Sequence, residues 1–340
     1  MILFKPDITD RSVIESIAPV LQSGQLGFGP NVAKLEEAYA TYSNKKYNVG
    51  VNSASAAAFM IFAYLKEKYG ACDVYTPSIG FTSPAWAAKH FGHNIIWVEV
   101  DENLVFDITD YKAKRLMRCE RYSDAGIKPV LMPILYGGIS NIPSFEGLES
   151  DGYREIIVVD SAHCATPTMK SDFTFFSFHP YKPIAASDGG MISTDIEEAS
   201  KWFHSYRNFG RETVGDTYDI VASGFKFYIN NLNATIALTQ MDIYEDKLSQ
   251  RREAFEKLKQ QNYDGRLLEH DEKSSYYFAT LVCNTQEEYE RLNAKFQTSK
   301  HYPMMHLTKY YADGTKLPFT EDIHSKIVNL PLYDVNIYNS

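Results

Sequence analysis

Two residues of opposite charge lie near each other in the sequence, each at the end of a predicted strand. Asp160 closes the apolar run IIVVD, and Lys182 lies in a turn just past FTFFSF, between Tyr181 and Pro183. Short runs rich in Ile and Val predict strands that are buried on both faces, and open α/β sheets place their ligands at the carboxyl ends of such strands. The sequence therefore predicts that a carboxylate and an amine face one site.

This pair of groups suits the chemistry of pyridoxal phosphate. That cofactor needs a lysine amine, which holds it as a Schiff base, and a carboxylate, which keeps its ring nitrogen protonated. Lys182 would supply the amine and, with a pKa lowered by burial, move a proton between substrate and cofactor, while Asp160 would supply the carboxylate. Ser177 could reach the cofactor phosphate, and His163 could contact the ring or its phenolic oxygen.

A metal site is the alternative interpretation of the same stretch. Asp160, His163, Cys164 and His179 are all residue types that bind zinc. Their spacing matches no Cys-x-x-Cys or His-x-x-x-His pattern, however, and a lysine close to two of them would repel a cation. The sequence favours the organic cofactor and predicts no metal.

The composition limits the class of protein. The 340 residues suffice for one large and one smaller domain, and 44% hydrophobic with 23% charged residues is ordinary for a soluble globular protein. A formal net charge of −9 argues against nucleic acid as a partner, because phosphate backbones are bound by clustered Lys and Arg. The four scattered cysteines fit no disulfide framework, and no signal peptide or membrane-length apolar run is present. We therefore expect a cytoplasmic protein that binds no membrane.

The predicted site must be positioned by strands that alternate with helices. NVGV, NIIWVEVD and IKPVLMPILYGG predict further strands, and NVAKLEEAYATYSN and EEASKWFHSYRNFGR predict helices, the second ending at Gly210. This alternation predicts an α/β fold with a mostly parallel mixed sheet flanked by helices. From about residue 241, a charged helix and the strand SYYFATLVCN predict a smaller α+β domain. We expect a large domain at 1–240 and a small one at 241–340.

The helix that follows NVGV offers a second feature of the site. Ser53 is its predicted N-cap, and Ala54 and Ser55 are small enough for a ligand to approach the backbone. A helix N-terminus binds phosphate readily because its first amides lack intrahelical partners. An ordinary capped helix is the alternative.

The motifs D-S-A-H from Asp160, S-F-H-P-Y-K ending at Lys182, and D-G-G-M-I resemble the cofactor-lysine region of the DegT-type nucleotide-sugar aminotransferases. The resemblance extends from about residue 20 to residue 340. It implies the fold type I of pyridoxal-phosphate enzymes, the fold of aspartate aminotransferase, with a large cofactor-binding domain, an N-terminal arm and a small C-terminal domain. It also implies the roles given above for Asp160, His163, Ser177 and Lys182.

The resemblance implies further cofactor contacts. Phe81 matches the aromatic residue of the family's P-x-x-x-F segment, which stacks on the cofactor ring. Ala54 and Ser55 replace a glycine and a threonine whose backbone amides bind the cofactor phosphate. The segment between Asp160 and Lys182 is also shorter than is usual in the family. These departures would reshape the pocket without removing a catalytic group.

A partner subunit is implied as well. The block GFKFYINNLNATIALTQ resembles a family segment that reaches the cofactor phosphate of the other subunit, so Lys226 is predicted to contact phosphate across a homodimer interface with shared active sites. Tyr228 replaces the family's arginine and loses its charge. His301 and His306, in a segment that resembles H-Y-x-P-x-H, would line the sugar site or, equally, lie buried at a domain interface.

The implied activity is transfer of an amino group, from L-glutamate, to a keto group of a nucleotide-linked deoxy sugar. Such products serve surface polysaccharides, such as the O-antigen, or glycosylated metabolites. A pyridoxal-phosphate-dependent sugar dehydratase or epimerase, and a non-catalytic sensor that binds nucleotide sugars, remain alternatives. The presence of Lys182 and Asp160 favours transamination.

Overall fold

The computed structural model describes residues 3–5, 10–122, 127–140, 145, 154–214, 216–296 and 302–338. Within these residues, seven strands form a central sheet. In chain order they are β1 (Tyr47–Val51), β2 (Asp73–Pro77), β3 (Asn94–Val98), β4 (Pro129–Leu131), β5 (Ile156–Asp160), β6 (Phe173–Ser177) and β7 (Gly190–Thr194).

The strands lie side by side in the order β1-β7-β6-β5-β4-β2-β3. The neighbouring pairs from β6 to β3 are parallel, and β7 is antiparallel to both β1 and β6. The prediction of a mostly parallel mixed sheet is confirmed. The parallel arrangement sets the carboxyl ends of β5 and β6 at one edge, which is where parallel sheets present their ligand-binding residues.

Helices flank this sheet and continue into the rest of the chain. They are α1 (Arg11–Ser23), α2 (Pro30–Ala38), α3 (Ala40–Ser43), α4 (Ala54–Tyr69), α5 (Thr82–His90), α6 (Ile108–Tyr122), α7 (Glu197–Tyr206), α8 (Asn231–Asp242), α9 (Tyr244–Lys259), α10 (Gln286–Phe296) and α11 (Pro318–Lys326). The helix predicted over NVAKLEEAYATYSN is divided at Tyr39, and α7 ends before Gly210. In the described part of the chain, no helix is both long and apolar enough to cross a membrane.

Helix α4 is central to the site because it begins at the same sheet edge. Ser53 caps it, since the Ser53 side chain accepts a hydrogen bond from the Ala56 amide (3.1 Å), which confirms the predicted N-cap. The side chains of its middle turns, Ala56–Ala58 and Met60–Leu65, are buried, so the middle of α4 lies within the core. Gly190, at the start of β7, lets the first turn of α4 approach the sheet closely.

A hairpin that the sequence analysis did not predict follows α7. Strands β8 (Arg211–Val214) and β9 (Thr217–Ile220) pair in antiparallel register, with Val214 opposite Thr217. Gly215-Asp216 between them is a recognisable hairpin signal in the sequence. Nearly the whole hairpin is exposed, including Val214 and Ile220 at 55% and 64%.

A smaller antiparallel sheet lies near the C-terminus. Its strands are β10 (Gly265–Leu267), β11 (Phe278–Cys283) and β12 (Ile327–Pro331), with β11 in the middle. The predicted boundary at residues 240 and 241 falls in the last turn of α8. One apolar cluster joins side chains of the large sheet, such as Phe176, to Leu281 of the small sheet. The division into two domains therefore stays a prediction.

We expect Gly190→Ala to destabilise the protein. The added Cβ would lie 2.6 Å from the Phe176 carbonyl oxygen and 2.8 Å from the Ala54 amide nitrogen, so the backbone of α4 or β6 must move. Overpacking of this kind costs about 1–3 kcal/mol of the free energy of unfolding, measured by urea denaturation. Gly27→Ala is the control, because its Cβ would meet nothing within 4 Å. Equal stability losses in the two variants would contradict the prediction.

Candidate active site

A cavity of about 360 Å3 opens at the carboxyl ends of β5 and β6, beside the first turn of α4. Eight residues were predicted to form a cofactor site, and the structure brings seven of them together here. The cavity is lined by the predicted residues Ala54, Ser55, Phe81, Asp160, His163, Ser177 and Lys182. The eighth predicted residue, Lys226, does not line this cavity in its own chain.

Asp160 is fixed as the last residue of β5. Its amide donates to the Pro133 carbonyl (3.0 Å), and its carbonyl accepts from the Leu135 amide (3.0 Å), so the backbone is held on the β4 side. Its side chain is buried and accepts a hydrogen bond from the Ala162 amide (3.0 Å). Burial raises the pKa of Asp160 to about 6, opposed by the Ala162 amide and by the charge of Lys182. This carboxylate would be stabilised by a positive partner in the cavity.

Lys182 projects its amine into the same cavity. The backbone turn after β6 is held by a hydrogen bond from the Lys182 amide to the His179 carbonyl (2.8 Å). Although the residue as a whole is half-buried, its amine is enclosed by protein atoms. Burial lowers the pKa of Lys182 to about 7, and the charge of Asp160 acts in the opposite direction. At neutral pH the amine is therefore available both as a nucleophile and as a base.

His163 is held in one orientation by two hydrogen bonds. Its Nδ1 accepts from the Gly137 amide (3.3 Å), which leaves the ring proton on Nε2, and Nε2 then donates to the hydroxyl of Tyr302 (2.9 Å). The two rings stack with centroids 5.8 Å apart at 16°. His163 thus presents a rigid aromatic surface to the cavity.

One end of the cavity is built to receive an anion. The Ala54 and Ser55 amides precede the first intrahelical hydrogen bond of α4, which runs from the Ala57 amide to the Ser53 carbonyl (3.1 Å). Ser177 lies beside this helix end, because it pairs with Gly190, where an added Cβ would lie 2.8 Å from the Ala54 amide nitrogen. Helix amides and hydroxyl groups together suit a phosphate.

Phe81 forms an apolar surface of the cavity. It directly precedes α5 and is 53% exposed. Its ring lies edge-on to Tyr302, with centroids 6.1 Å apart. The exposed ring offers a stacking surface for a planar ligand.

Several cavity residues were not predicted from the sequence. Ser83 hydrogen-bonds Ser55 through its hydroxyl (2.9 Å), and Ala162 lies between Asp160 and His163. Ala162 belongs to the quoted D-S-A-H motif, so the signal was present in the sequence. Tyr277 and Tyr302, from distant parts of the chain, complete the wall.

The two candidate histidines of the C-terminal segment have different outcomes. His301 lies outside the described residues. His306 is buried away from the cavity, with Nδ1 2.6 Å from the Ser78 hydroxyl and Nε2 3.2 Å from a Glu321 oxygen. His306 was predicted either to line the sugar site or to lie buried at an interface. The structure buries it between Ser78, which follows β2, and Glu321 of the C-terminal part of the chain. Tyr302, from the same segment, lines the cavity instead.

Lys226 lies on the surface next to the hairpin. Its carbonyl accepts from the Asn52 side-chain amide (3.3 Å), and its amine is 5.8 Å from the centroid of the Tyr228 ring. The predicted role of Lys226 is contact with a cofactor phosphate across a subunit interface, and the single chain does not test it. That role stays a prediction.

The donor groups of the cavity fit pyridoxal phosphate. They comprise a buried carboxylate for the ring nitrogen, an enclosed amine, an exposed aromatic face and an anion-binding helix end. Among the described residues, no cluster of three or more His, Cys, Asp or Glu side chains is arranged to hold a metal ion. Burial also raises the pKa of the Cys164 thiol to about 12, which makes it a poor ligand and nucleophile.

Comparison with known proteins agrees with this chemistry. Residues 7–336 match the model of the DegT/DnrJ/EryC1/StrS aminotransferase family. The spore coat polysaccharide biosynthesis protein SpsC of Bacillus subtilis is 26% identical, over 95% of this chain and 90% of its own length.

Two solved structures share the fold. Spr1654 of Streptococcus pneumoniae, described as a candidate sugar aminotransferase and solved in its PMP form, superimposes with a TM-score of 0.83 at 22% identity, covering 98% of this chain and 94% of its own. Helicobacter pylori PseC, an aminotransferase of pseudoaminic acid biosynthesis, gives a TM-score of 0.79 at 19% identity, covering 97% and 92%.

Replacing both members of the buried pair should stabilise the cofactor-free protein. We expect Asp160→Asn combined with Lys182→Met to raise the free energy of unfolding by about 1–4 kcal/mol near pH 6.5, where both native groups are charged. Urea denaturation at a series of pH values measures this gain.

The gain should be largest at that pH and fall on both sides. The native pKa of Asp160 is raised from 3.8 to about 6. The loss of folding stability caused by its buried charge is therefore complete above pH 6 and disappears as the pH falls to 3.8. The native pKa of Lys182 is lowered from 10.5 to about 7. The loss of folding stability caused by its buried charge is therefore complete below pH 7 and disappears as the pH rises to 10.5. A gain that does not vary with pH would refute this account.

Proposed function

The chain belongs to the DegT/DnrJ/EryC1/StrS aminotransferase family, and from this premise we propose that it transfers an amino group from L-glutamate to a keto group of a nucleotide-linked deoxy sugar. Members of this family are pyridoxal-phosphate-dependent sugar aminotransferases, and related structures are solved in PLP and PMP forms. The observation that carries the proposal is the placement of Lys182 and Asp160 in one cavity. When bound, pyridoxal phosphate supplies an electron sink for the substrate carbon.

Lys182 performs the proton transfers in this proposal. Its amine has a pKa lowered to about 7 by burial, so at neutral pH it can both accept and donate a proton, as a group that moves protons between substrate and cofactor would have to. Asp160 would keep the ring nitrogen of the bound cofactor protonated, because its buried carboxylate is stabilised by positive charge opposite it. His163 orients the ring from one side.

The phosphate is held at the helix end of the cavity. The Ala54 and Ser55 amides bind through the backbone, so the loss of the family's glycine at Ala54 leaves this contact in place. Ser177 and Ser83 would add hydroxyl donors to a bound phosphate, and the exposed face of Phe81 would stack on the cofactor ring. These roles follow from chemistry and placement in the cavity.

The sugar product is proposed to enter polysaccharide biosynthesis. SpsC is described as a spore coat polysaccharide biosynthesis protein and PseC as an enzyme of pseudoaminic acid biosynthesis, which support a sugar acceptor of this kind. Nucleotide-linked sugars are assembled in the cytoplasm, so we place the enzyme there. The O-antigen is one polysaccharide that such a product could serve.

A homodimer completes the proposed site. Phe225, Val221 and Ile220 expose 49–64% of their surface in the same stretch of chain as Lys226, and exposed apolar residues of this kind are suited to contact with a second copy of the chain. A second copy that covered the patch would bring Lys226 towards the partner's phosphate pocket. Lysine is suited to this role as a flexible point charge.

The spectrum of the purified protein tests the activity directly. Pyridoxal phosphate bound covalently to Lys182 should give a visible absorbance band, which L-glutamate should convert to the pyridoxamine form. Lys182→Ala should lack the band and lose on the order of 10³-fold in transamination rate. Lys201→Ala, which alters an exposed lysine paired with Glu197, is the control.

The outcomes separate the candidate activities. Transamination is supported if the Lys201→Ala variant keeps the band and if L-glutamate converts the band to the pyridoxamine form. Nucleotide-linked keto sugars can then be screened as acceptors. A band that glutamate leaves unchanged would favour the dehydratase, the epimerase or the sensor. No band in the unaltered protein would rule out the proposed cofactor chemistry.

Mixed dimers test the proposed role of Lys226. We expect Lys182→Ala and Lys226→Ala each to be impaired alone. When the two are mixed, one site of each heterodimer combines an intact Lys182 with the partner's intact Lys226, so activity should recover to roughly a quarter of the unaltered level by random mixing. Recovery would be absent if Lys226 acted within its own chain, and Lys226→Ala alone would keep full activity if Lys226 had no role.

A further inference from the structure

The N-terminal residues contact the wall of the cavity beside the catalytic lysine. The ring of Phe4 stacks on Tyr277 with centroids 4.7 Å apart at 16°, and on Tyr181 with centroids 5.8 Å apart at 20°. Phe4 thus contacts Tyr181, which precedes Lys182 in the sequence, and Tyr277, which comes from a distant part of the chain. These nearly parallel stacks fix the ring planes relative to one another.

Tyr277 is in direct range of the Lys182 amine. The Lys182 Nζ lies 4.7 Å from the centroid of the Tyr277 ring, a cation–π distance. The face of an aromatic ring attracts an ammonium group more strongly than a neutral amine. Tyr277 therefore acts on both the direction and the protonation of the amine.

The backbone of Tyr277 is fixed by the turn that also fixes His163. The Tyr277 amide donates to the Gly137 carbonyl (3.1 Å), and the Gly137 amide donates to His163 Nδ1 (3.3 Å). Gly138 has φ +83, and a Cβ there would lie 2.7 Å from the His163 carbonyl oxygen and 3.1 Å from the Tyr277 amide nitrogen. The main chain at Tyr277 has little freedom, so the ring orientation depends on its side-chain neighbours.

Two of those neighbours are Phe4 and His163. The His163 ring lies 4.6 Å from Tyr277 at 42°, and Phe4 packs with Tyr277 in one apolar cluster. His163 is itself held by hydrogen bonds, whereas Phe4 belongs to the short segment 3–5. Loss of the Phe4 ring would remove a large apolar contact from Tyr277.

We propose that Tyr277, held by Phe4, is a positioning residue that directs the Lys182 amine into the cavity. The ring draws the protonated amine towards its face, while Phe4 prevents the ring from turning away. The inference rests on the proposed function, since it takes Lys182 as the amine that holds the cofactor.

Other titratable groups share this environment and must be considered in any test. Arg251 lies within electrostatic range of the Tyr277 hydroxyl. The titratable groups that line the cavity with Lys182 are Asp160, His163, His179, Tyr181, Asp188, Tyr277 and Tyr302. Asp160 and the Tyr277 ring both favour the protonated amine, and burial opposes them.

Chemical labelling of the cofactor-free protein measures the amine directly. Limited acetic anhydride reacts only with neutral amines, so labelling of Lys182 against pH, read by peptide mass spectrometry, gives its titration midpoint. Tyr277→Leu removes the ring and should lower this midpoint by about half to one and a half pH units. Tyr277→Phe keeps the ring face and should retain the midpoint. Phe4→Ala should lower it by a smaller amount.

A second readout follows the capture of pyridoxal phosphate by the visible band. A misdirected amine should capture it on the order of tenfold more slowly in Tyr277→Leu, with Tyr277→Phe restoring the rate. Tyr310→Leu is the matched control, because it removes a tyrosine that lies 4.5 Å from Lys89 Nζ on the surface. Circular dichroism and urea denaturation establish that each variant is folded.

The results decide the inference without depending on turnover. An unchanged midpoint and capture rate in folded Tyr277→Leu would overturn it, as would an equal loss in Tyr277→Phe. A shift in Tyr277→Leu with none in Phe4→Ala would overturn the part assigned to Phe4. If the midpoint shifts as expected but the unaltered protein captures no cofactor, the proposed function fails and the positioning role stands.

Discussion

The structure depends on the burial of two opposite charges in one cavity. Burial disfavours the charged form of both groups, so it raises the pKa of Asp160 to about 6 and lowers the pKa of Lys182 to about 7. A carboxylate in water would not bind a ring nitrogen strongly, and a lysine in water would hold its proton. The fold keeps both groups in an apolar setting, where their chemistry is available at neutral pH.

Burial of the pair constrains the elements around it. Asp160 and Ser177 end neighbouring parallel strands, so the two sides of the cavity start from one sheet edge. Gly190 allows α4 to begin against that edge, which brings its first amides beside Ser177. The amine, the carboxylate and the anion-binding helix end are thus positioned by adjacent backbone segments rather than by long flexible loops.

The sequence predicted the parts of the site that depend on local order. Asp160 ends an apolar run, Ser53 stands before a helix, and Lys182 follows a strand, and each of these positions is set by neighbours in the chain. Tyr277 and Tyr302 could not be predicted in this way, because their contacts with the cavity arise only when the small sheet packs against the large one. The β8–β9 hairpin was missed although its Gly-Asp turn was visible, because its exposed strands lack the apolar alternation of a buried face.

The contrast between residues set by local sequence and residues set by tertiary packing also separates two parts of the cavity, which we call its base and its wall. The base consists of charged and polar groups that the cofactor requires in fixed positions, so a short ordered motif is enough to identify them. The wall includes the aromatic rings of Tyr277 and Tyr302, and Phe4 stacks on Tyr277. These residues come from distant parts of the chain, so no short motif identifies them. The wall is therefore set by tertiary packing, at the place where residues 3–5 meet the C-terminal part of the chain.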